Sequence, residues 1–409
     1  MILGRRLKMS MLKKSSFLLC LIIIMIGSVW FISLKNDNSS LIGAYVDGEY
    51  ASNIPSKDAG YVVEKIVCDN EAVGEWNYDD WGLLVKNMTK KSKCNVYFRK
   101  GIKLADTITL VDATGKCPTV NDDGSVNVTS AESENSILCM APDNYGNSYY
   151  FRGNVQNNYV YFANLYWRII RINGDGSIRM IYDGTTAHEN REASADRKIG
   201  DSAFNDKDDD NAYVGYMYGT AGSSNYEETH ANINDSTIKK YIDNWYESVF
   251  EENFRKYIFD SSFCNYRKLM TGLGYGKNKG VYIGYWNIKT LLCQKNDILT
   301  VNDNINGSAV LRYPIGMLTR TEALLAGGYR TNNKNYYLYN GNAVWLQTPV
   351  DAFNDVARAR NADLTDSGNP YGTGCSTVTC NLGVKPVINL KPNSLKLGDG
   401  TISNAYMVS

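Results

Sequence analysis

Nine cysteines set the first constraint on this chain. Cys20 lies in an uncharged apolar run, and the other eight follow it: Cys68, Cys94, Cys117, Cys139, Cys264, Cys293, Cys375 and Cys380. An even set of this kind reads as a disulfide framework in an oxidising compartment. The sequence leaves connectivity open. Nearest-neighbour pairing (68–94, 117–139, 264–293, 375–380) is the expectation, because each pair then falls inside one apparent structural unit. Zinc fits less well, since there is no C-x-x-C and neither His188 nor His230 has metal-ligand spacing to a cysteine.

The compartment follows from the N-terminus. Residues 17–34, "FLLCLIIIMIGSVWFISL", carry no charge, and Arg5, Arg6, Lys8, Lys13 and Lys14 precede them without an acid. As a helix the run would span about 27 Å, close to a thin bilayer core. The basic side belongs in the cytoplasm, so everything after Lys35 is expected outside. The run is longer than a secretory h-region, and Val29, Trp30 and Phe31 stand where a cleavage site wants small residues. An uncleaved anchor is expected over a cleaved signal. The whole chain balances 43 basic against 43 acidic residues. That gives no electrostatic footprint for nucleic acid.

Five regions follow: a basic stub and membrane anchor (1–35), a stalk (36–48), a small β-sandwich (49–103), a disulfide-closed connector (104–145) and a C-terminal α+β domain (146–409). In the sandwich, "GYVVEKIVCDN", "WGLLVKNMT" and "CNVYFRK" alternate with period two between turn residues. Cys68 and Cys94 flanking Trp81 suggest an immunoglobulin-like pin, a bridge between two sheets packed on an indole. The connector's Asn121–Gly124 reads as a solvated turn, since the alternating acids of a calcium loop are missing.

The C-terminal domain opens with "NNYVYFANLYWRIIRINGDGSIRMIYDG", residues 157–184. Asn173-Gly174-Asp175-Gly176 interrupts two alternating runs and offers residues that tolerate positive φ, which predicts a tight hairpin. Both faces of the runs are apolar, so the hairpin should be buried. Ile238, Tyr241, Ile242, Trp245 and Val249 recur at helical spacing behind an Asn/Asp/Ser start signal. A second helix is marked by a Thr319/Glu322 capping box and a stop at Gly327. Val384, Val387 and Ile388 suit a closing strand, with Pro386 restricting it to an edge or to its first turn.

Residues for chemistry are few. No G-x-S-x-G elbow or phosphate loop is present. His188 and His230 sit in polar surroundings and read as solvated. Asp206, Asp208, Asp209 and Asp210 cluster in "NDKDDDNAY". Asp206, Asp208 and Asp210 could offer oxygen ligands to Ca²⁺, the one cofactor considered, against the plainer reading of a solvated loop. Tyr339, Arg358, Arg360 and Tyr371 lie in loops of the composition that contact surfaces use, and are the ligand-binding candidates; Trp345 reads as core.

"YVYFANLYWRIIRINGDGSIRMIYDGT", "STIKKYIDNWYE", "YPIGMLTRTEALLAGG", "NYYLYNGNAVWLQTP", "GVKPVINLK" and "GDGTISNAY" together resemble an uncharacterised family of Gram-positive bacterial surface proteins, over roughly residues 145–409. That family is similar in style to the Fibrobacter major paralogous domain. The resemblance implies a C-type-lectin-like or sulfatase-modifying-factor-like fold and carries over no catalytic residues. The lectin motifs Glu-Pro-Asn and Trp-Asn-Asp are missing, and "TPVDAFND" follows Trp345 instead. The expectation is an α+β protein: a transmembrane helix, an immunoglobulin-like sandwich and a C-type-lectin-like domain. It would bind or display a cell-surface glycan or protein. The alternatives are an extracellular carboxylate-dependent hydrolase or sulfatase-modifying-factor-like enzyme, and a structural component of a surface filament.

Overall fold

A computed structural model describes residues 42–77, 80–87, 92–101, 117–128, 137–284, 289–302, 308, 310–328, 336–353, 355–364, 377–392 and 394–408. The chain divides into two compact units, Met1–Gly101 and Ile102–Ser409. The expected membrane anchor lies outside the described residues. Among those described, no helix is long and apolar enough to cross a membrane.

The first unit holds β1 (Ile42–Val46), β2 (Glu49–Ala51), β3 (Tyr61–Cys68), β4 (Val73–Asn77), β5 (Gly82–Lys86) and β6 (Cys94–Lys100). Four form one sheet in the order β2-β1-β6-β3, with β1 parallel to β6, and β4 and β5 form a separate hairpin. Alternation in β1, β3 and β6 sends Ala44, Val63, Val96 and Phe98 to one face, where Trp76 of β4 joins them. The Trp76 ring meets Phe98 edge-on at 5.1 Å. Gly74 permits this approach, because a Cβ there would lie 2.5 Å from Ile66 and 3.1 Å from the Cys68 sulfur. β1 draws on residues expected as stalk.

Two expectations fail here. The Cys68–Cys94 bridge forms, but its cysteines face each other on neighbouring strands of one sheet, 4.0 Å apart at Cα. An immunoglobulin pin joins two sheets, so this is a different architecture. The indole deepest in the core is Trp76, while half-buried Trp81 donates its Nε1–H to the Pro55 carbonyl at 2.7 Å.

The second unit is built on two sheets. The nine-stranded sheet runs Ile315–Met317, Pro386–Leu390, Ile178–Gly184, Leu165–Ile172, Tyr159–Phe162, Tyr406–Val408 and Leu395–Leu397. Gly146–Arg152 pairs with Leu165–Ile172 and carries Ile137–Asp143, so the connector feeds this sheet. The six-stranded sheet runs Asp201–Ala203, Asn381–Gly383, Asn342–Phe353, Gly280–Tyr282 and Leu269–Gly272, with Val356–Leu364 alongside Asn342–Phe353. The predicted long helix spans Thr237–Val249, with the Ser236 side chain accepting from the Lys239 N–H. Its Ile238 and Ile242 enter the main core, and Trp245 lies edge-on to Tyr182 at 5.7 Å. Arg320–Leu325 is a short buried helix with the expected Thr319/Glu322 box. Pro386 begins a strand inside the sheet, so of its two predicted places it takes the first turn.

The α+β, C-type-lectin-like architecture is therefore overturned. The protein is mostly β-sheet, with 42% strand and 13% helix. Many strands hold only two to four residues, too short to leave an alternating signature, so the two legible helices weighed more in the sequence than in the fold.

Cys117–Cys139 and Cys264–Cys293 are also bridged. Cys380 is disulfide-bonded, and Cys375 lies outside the described residues.

Candidate functional site

The aspartates proposed as cation ligands do not converge. Asp206 and Asp209 are exposed, Asp208 is half-buried and Asp210 is buried. The Asp210 carboxylate is committed to backbone, accepting from the N–H groups of Ala212 and Gly222 at 2.8 Å each. Asp208 accepts from the Thr379 hydroxyl at 3.3 Å, and Asp209 lies 3.9 Å from Lys277. Tyr213 sits among them; burial first, then Tyr218, Asp209, Asp210 and Asp206, push its hydroxyl pKa up. Among the described residues no group of three or more His, Cys, Asp or Glu is placed to hold a metal ion.

The loop candidates are similarly occupied. Tyr339 is buried in the main core. Arg358 makes two bonds to Asp351, its partner across the long hairpin, at 2.6 and 2.8 Å. Arg360 donates from Nε to the Gly284 carbonyl at 3.1 Å. Tyr371 lies outside the described residues. Trp345 is core, with its indole N–H on the Ser202 carbonyl at 2.9 Å.

Both histidines are buried, against the solvated reading. Burial, with Arg267 nearby, pushes His230 down to about 3, so its imidazole is neutral at physiological pH. It stacks on Tyr226 at 4.2 Å. His188 lies between two carboxylates, Glu192 at Nδ1 (2.9 Å) and Asp196 at Nε2 (2.8 Å). The Thr186 hydroxyl, 3.2 Å from Nε2, completes an outline of a hydroxyl–imidazole–carboxylate triad. That outline is not a nucleophile system, because Asp196 occupies the nitrogen that would have to accept the proton.

The surface that sequence reasoning missed is in the first unit. Tyr50, Tyr45, Tyr97 and Lys65 occupy one row across all four strands of its sheet, by the registers Tyr45↔Tyr50, Tyr45↔Tyr97 and Tyr97↔Lys65. Tyr45 and Tyr97 stack at 4.7 Å, Tyr50 meets Tyr45 edge-on at 5.7 Å, and the Lys65 ammonium lies 4.7 Å from the Tyr97 centroid. This row has the opposite parity to Ala44, Val96 and Phe98, so it lies on the face away from the core. Tyr50 is 64% exposed, and Val67, one row along beside Asn95, is 50% exposed. The sequence did carry a signal: Tyr45 and Tyr97 alternate with the core residues of "GAYV" and "NVYF". Their alignment across strands depended on a parallel β1–β6 pairing that periodicity does not reveal. Ring faces are largely used between neighbours, so the row offers ring edges, hydroxyls and an ammonium.

No protein-family model, curated protein or solved structure matches the chain.

Proposed function

We propose that the chain is a membrane-anchored extracellular protein that binds a cell-surface glycan or protein, and that the tyrosine row of the first unit is its contact face. The observation that carries this reading is the placement of Tyr50, Tyr45, Tyr97 and Lys65 in register on the side of the sheet opposite the core. Tyrosines supply large contact area with little rotamer entropy to lose, and their hydroxyls add hydrogen bonds. The disulfides suit an exported body tethered by residues 17–34. The hydrolase alternative drew its candidates from Asp206, Asp208 and Asp209; Asp206 and Asp209 are exposed, and Asp208 accepts from the Thr379 hydroxyl.

The test displays the full chain on cells and measures adhesion to other cells and to immobilised glycans, for the natural chain and for Tyr50→Ser and Tyr45→Ser/Tyr97→Ser. Loss of adhesion in the variants, with surface expression unchanged, supports the contact face. Adhesion that survives them, or no adhesion by the natural chain, sinks it. Protease or glycosidase treatment of the target cells separates a protein ligand from a glycan. Homotypic clustering of displaying cells would favour the filament alternative.

A further inference from the structure

The turn after strand Ile178–Gly184 closes on itself through His188. Both ring nitrogens face carboxylate oxygens, Glu192 Oε1 at 2.9 Å and Asp196 Oδ1 at 2.8 Å. A neutral imidazole has one N–H, so only the imidazolium can donate to both. Asp196 cannot relieve the mismatch by taking up a proton. Burial opposes its ionisation, but bonds from Ser194, His188 and Thr185 hold its pKa far below the usual carboxylate range. Gly184, at φ +141°, lets the turn close, since a Cβ there would lie 2.9 Å from the imidazole.

The closed loop then holds other parts of the unit. Arg197 donates to the carbonyls of Glu189 (3.0 Å) and Glu192 (2.7 Å) while gripping Asp183. The Arg191 N–H reaches the Tyr339 carbonyl at 3.3 Å, and Asn342 donates to the Ser194 carbonyl at 3.2 Å. A Cβ at Gly341 would sit 2.8 Å from Ala193. The charged and titratable groups around the ring are Glu192 and Asp196 in contact, Arg197 from the same turn, and Asp183 behind Arg197. Tyr159 and Tyr182 approach from the sheet, Tyr159 donating to the His188 carbonyl at 2.9 Å.

We infer that residues 185–197 form a proton-operated latch, closed over the Tyr339–Asn342 segment by a His188 imidazolium and loosened when that imidazolium deprotonates. On losing its proton the ring keeps one N–H, and the other nitrogen's lone pair then faces a carboxylate. The attraction there becomes repulsion. Burial and Arg197 oppose the charged form, but the hydrogen bonds to Asp196 and Glu192 prevail and raise the His188 pKa above its ordinary 6.5. The clamp is therefore complete below pH 6.5 and lost as pH rises through the folded-state value. For each unit by which that value exceeds 6.5, the loop's opening constant should increase about tenfold across the transition.

Histidine-selective isotope labelling of the full chain tests this, because it contains only two histidines. One resonance should titrate with a midpoint above 6.5, while that of His230 stays fixed through the neutral range. Amide exchange at Thr185, Thr186 and Glu192, corrected for intrinsic rates, should lose protection with the same midpoint. Glu192→Gln, at a half-exposed carboxylate that does not threaten the fold, should lower the midpoint, and His188→Gln should remove the step. A His188 midpoint at or below 6.5, protection that does not follow it, or a midpoint unmoved in Glu192→Gln would overturn the latch.

Discussion

Asp183 shows how charge is managed inside the second unit. It is 2% exposed and is shared by three cations: Arg197 at 2.8 Å, Lys385 at 3.3 Å and Arg168 at 3.9 Å. Burial opposes its ionisation, but Arg197, Lys385 and Arg168 together hold its pKa below the usual carboxylate range. Lys385 fares worse: burial pushes its ammonium down to about 8, with Asp183 pulling back and Arg197 opposing. Removing the single anion leaves three buried cations without their counter-charge. Asp183→Asn should cost about 3–5 kcal/mol, as breaking buried ion pairs does. Lys385→Met removes one excess cation at similar volume and should change stability by less than about 1.5 kcal/mol. Urea unfolding of the two variants decides, and equal losses would refute the charge argument. The pH dependence has a definite sign. Between pH 8 and 10.5 the unfolded chain holds more protons on Lys385 than the folded one, so stability attributable to this residue rises with pH. The natural protein should gain on Lys385→Met across that window.

The hairpin Leu165–Ile172/Ile178–Gly184 and the helix Arg320–Leu325 were both legible in the sequence, for different reasons. Asn173–Gly176 announces a turn, but its glycines serve two purposes. Gly176 has φ +81°, whereas Gly174 is needed for approach: a Cβ there would lie 2.6 Å from Asp143 Oδ1 and 2.7 Å from the Gly146 carbonyl carbon. Gly174→Ala should therefore cost about 1–3 kcal/mol by overpacking, comparable to or more than the backbone strain of Gly176→Ala at about 1 kcal/mol. Thermal unfolding of both variants checks the order. The helix was read from its capping box, but Glu322 has a further task. Its carboxylate also receives Arg171 (3.1 Å) and the Arg179 side chain, while Arg152 donates to the carbonyls of Leu324 and Leu325. Burial opposes the charge of Glu322, but Arg179 and Arg171 bring its pKa down to about 2. Its contribution, about 3 kcal/mol, is then present above its ordinary value of 4.5 and lost as pH falls toward 2. Acid unfolding should steepen below pH 4.5, and Glu322→Gln should flatten it while lowering stability at pH 7. Local signals such as caps and turns survive in sequence because they act over four residues. The stretch that opens the C-terminal domain also holds three arginines, Arg168, Arg171 and Arg179, whose partners the alternation leaves open. They are buried, because their partners lie as far away as Glu322 and no periodicity announces them.

At the scale of the molecule, the cysteines were the most legible feature, since three of the four expected pairs form. Sheet order was not legible: parallel β1–β6 and the insertion of Pro386–Leu390 between Ile315–Met317 and Ile178–Gly184 both join segments far apart in sequence. The candidate contact face depends on that order, which is why tyrosines in the same alternation as the core went unassigned. The bridges also set a whole-chain prediction, because each of the three closes within one unit. The first unit's buried core is small, chiefly Ala44, Val63, Trp76, Val96 and Phe98, while the second has a far larger one. A sheet of this size is marginal on apolar burial alone. Its one bridge, across a separation of 26 residues, should contribute about 3–4 kcal/mol, a large share of its total. Scanning calorimetry of the natural chain should resolve two transitions. Cys68→Ser/Cys94→Ser should lower only the first unit's transition, by about 12–32 °C at the 4–8 °C per kcal/mol typical of small domains, and leave the other in place. If both transitions fall together, or if only one exists, the units do not fold independently and the first cannot be treated as a self-sufficient platform for its tyrosines.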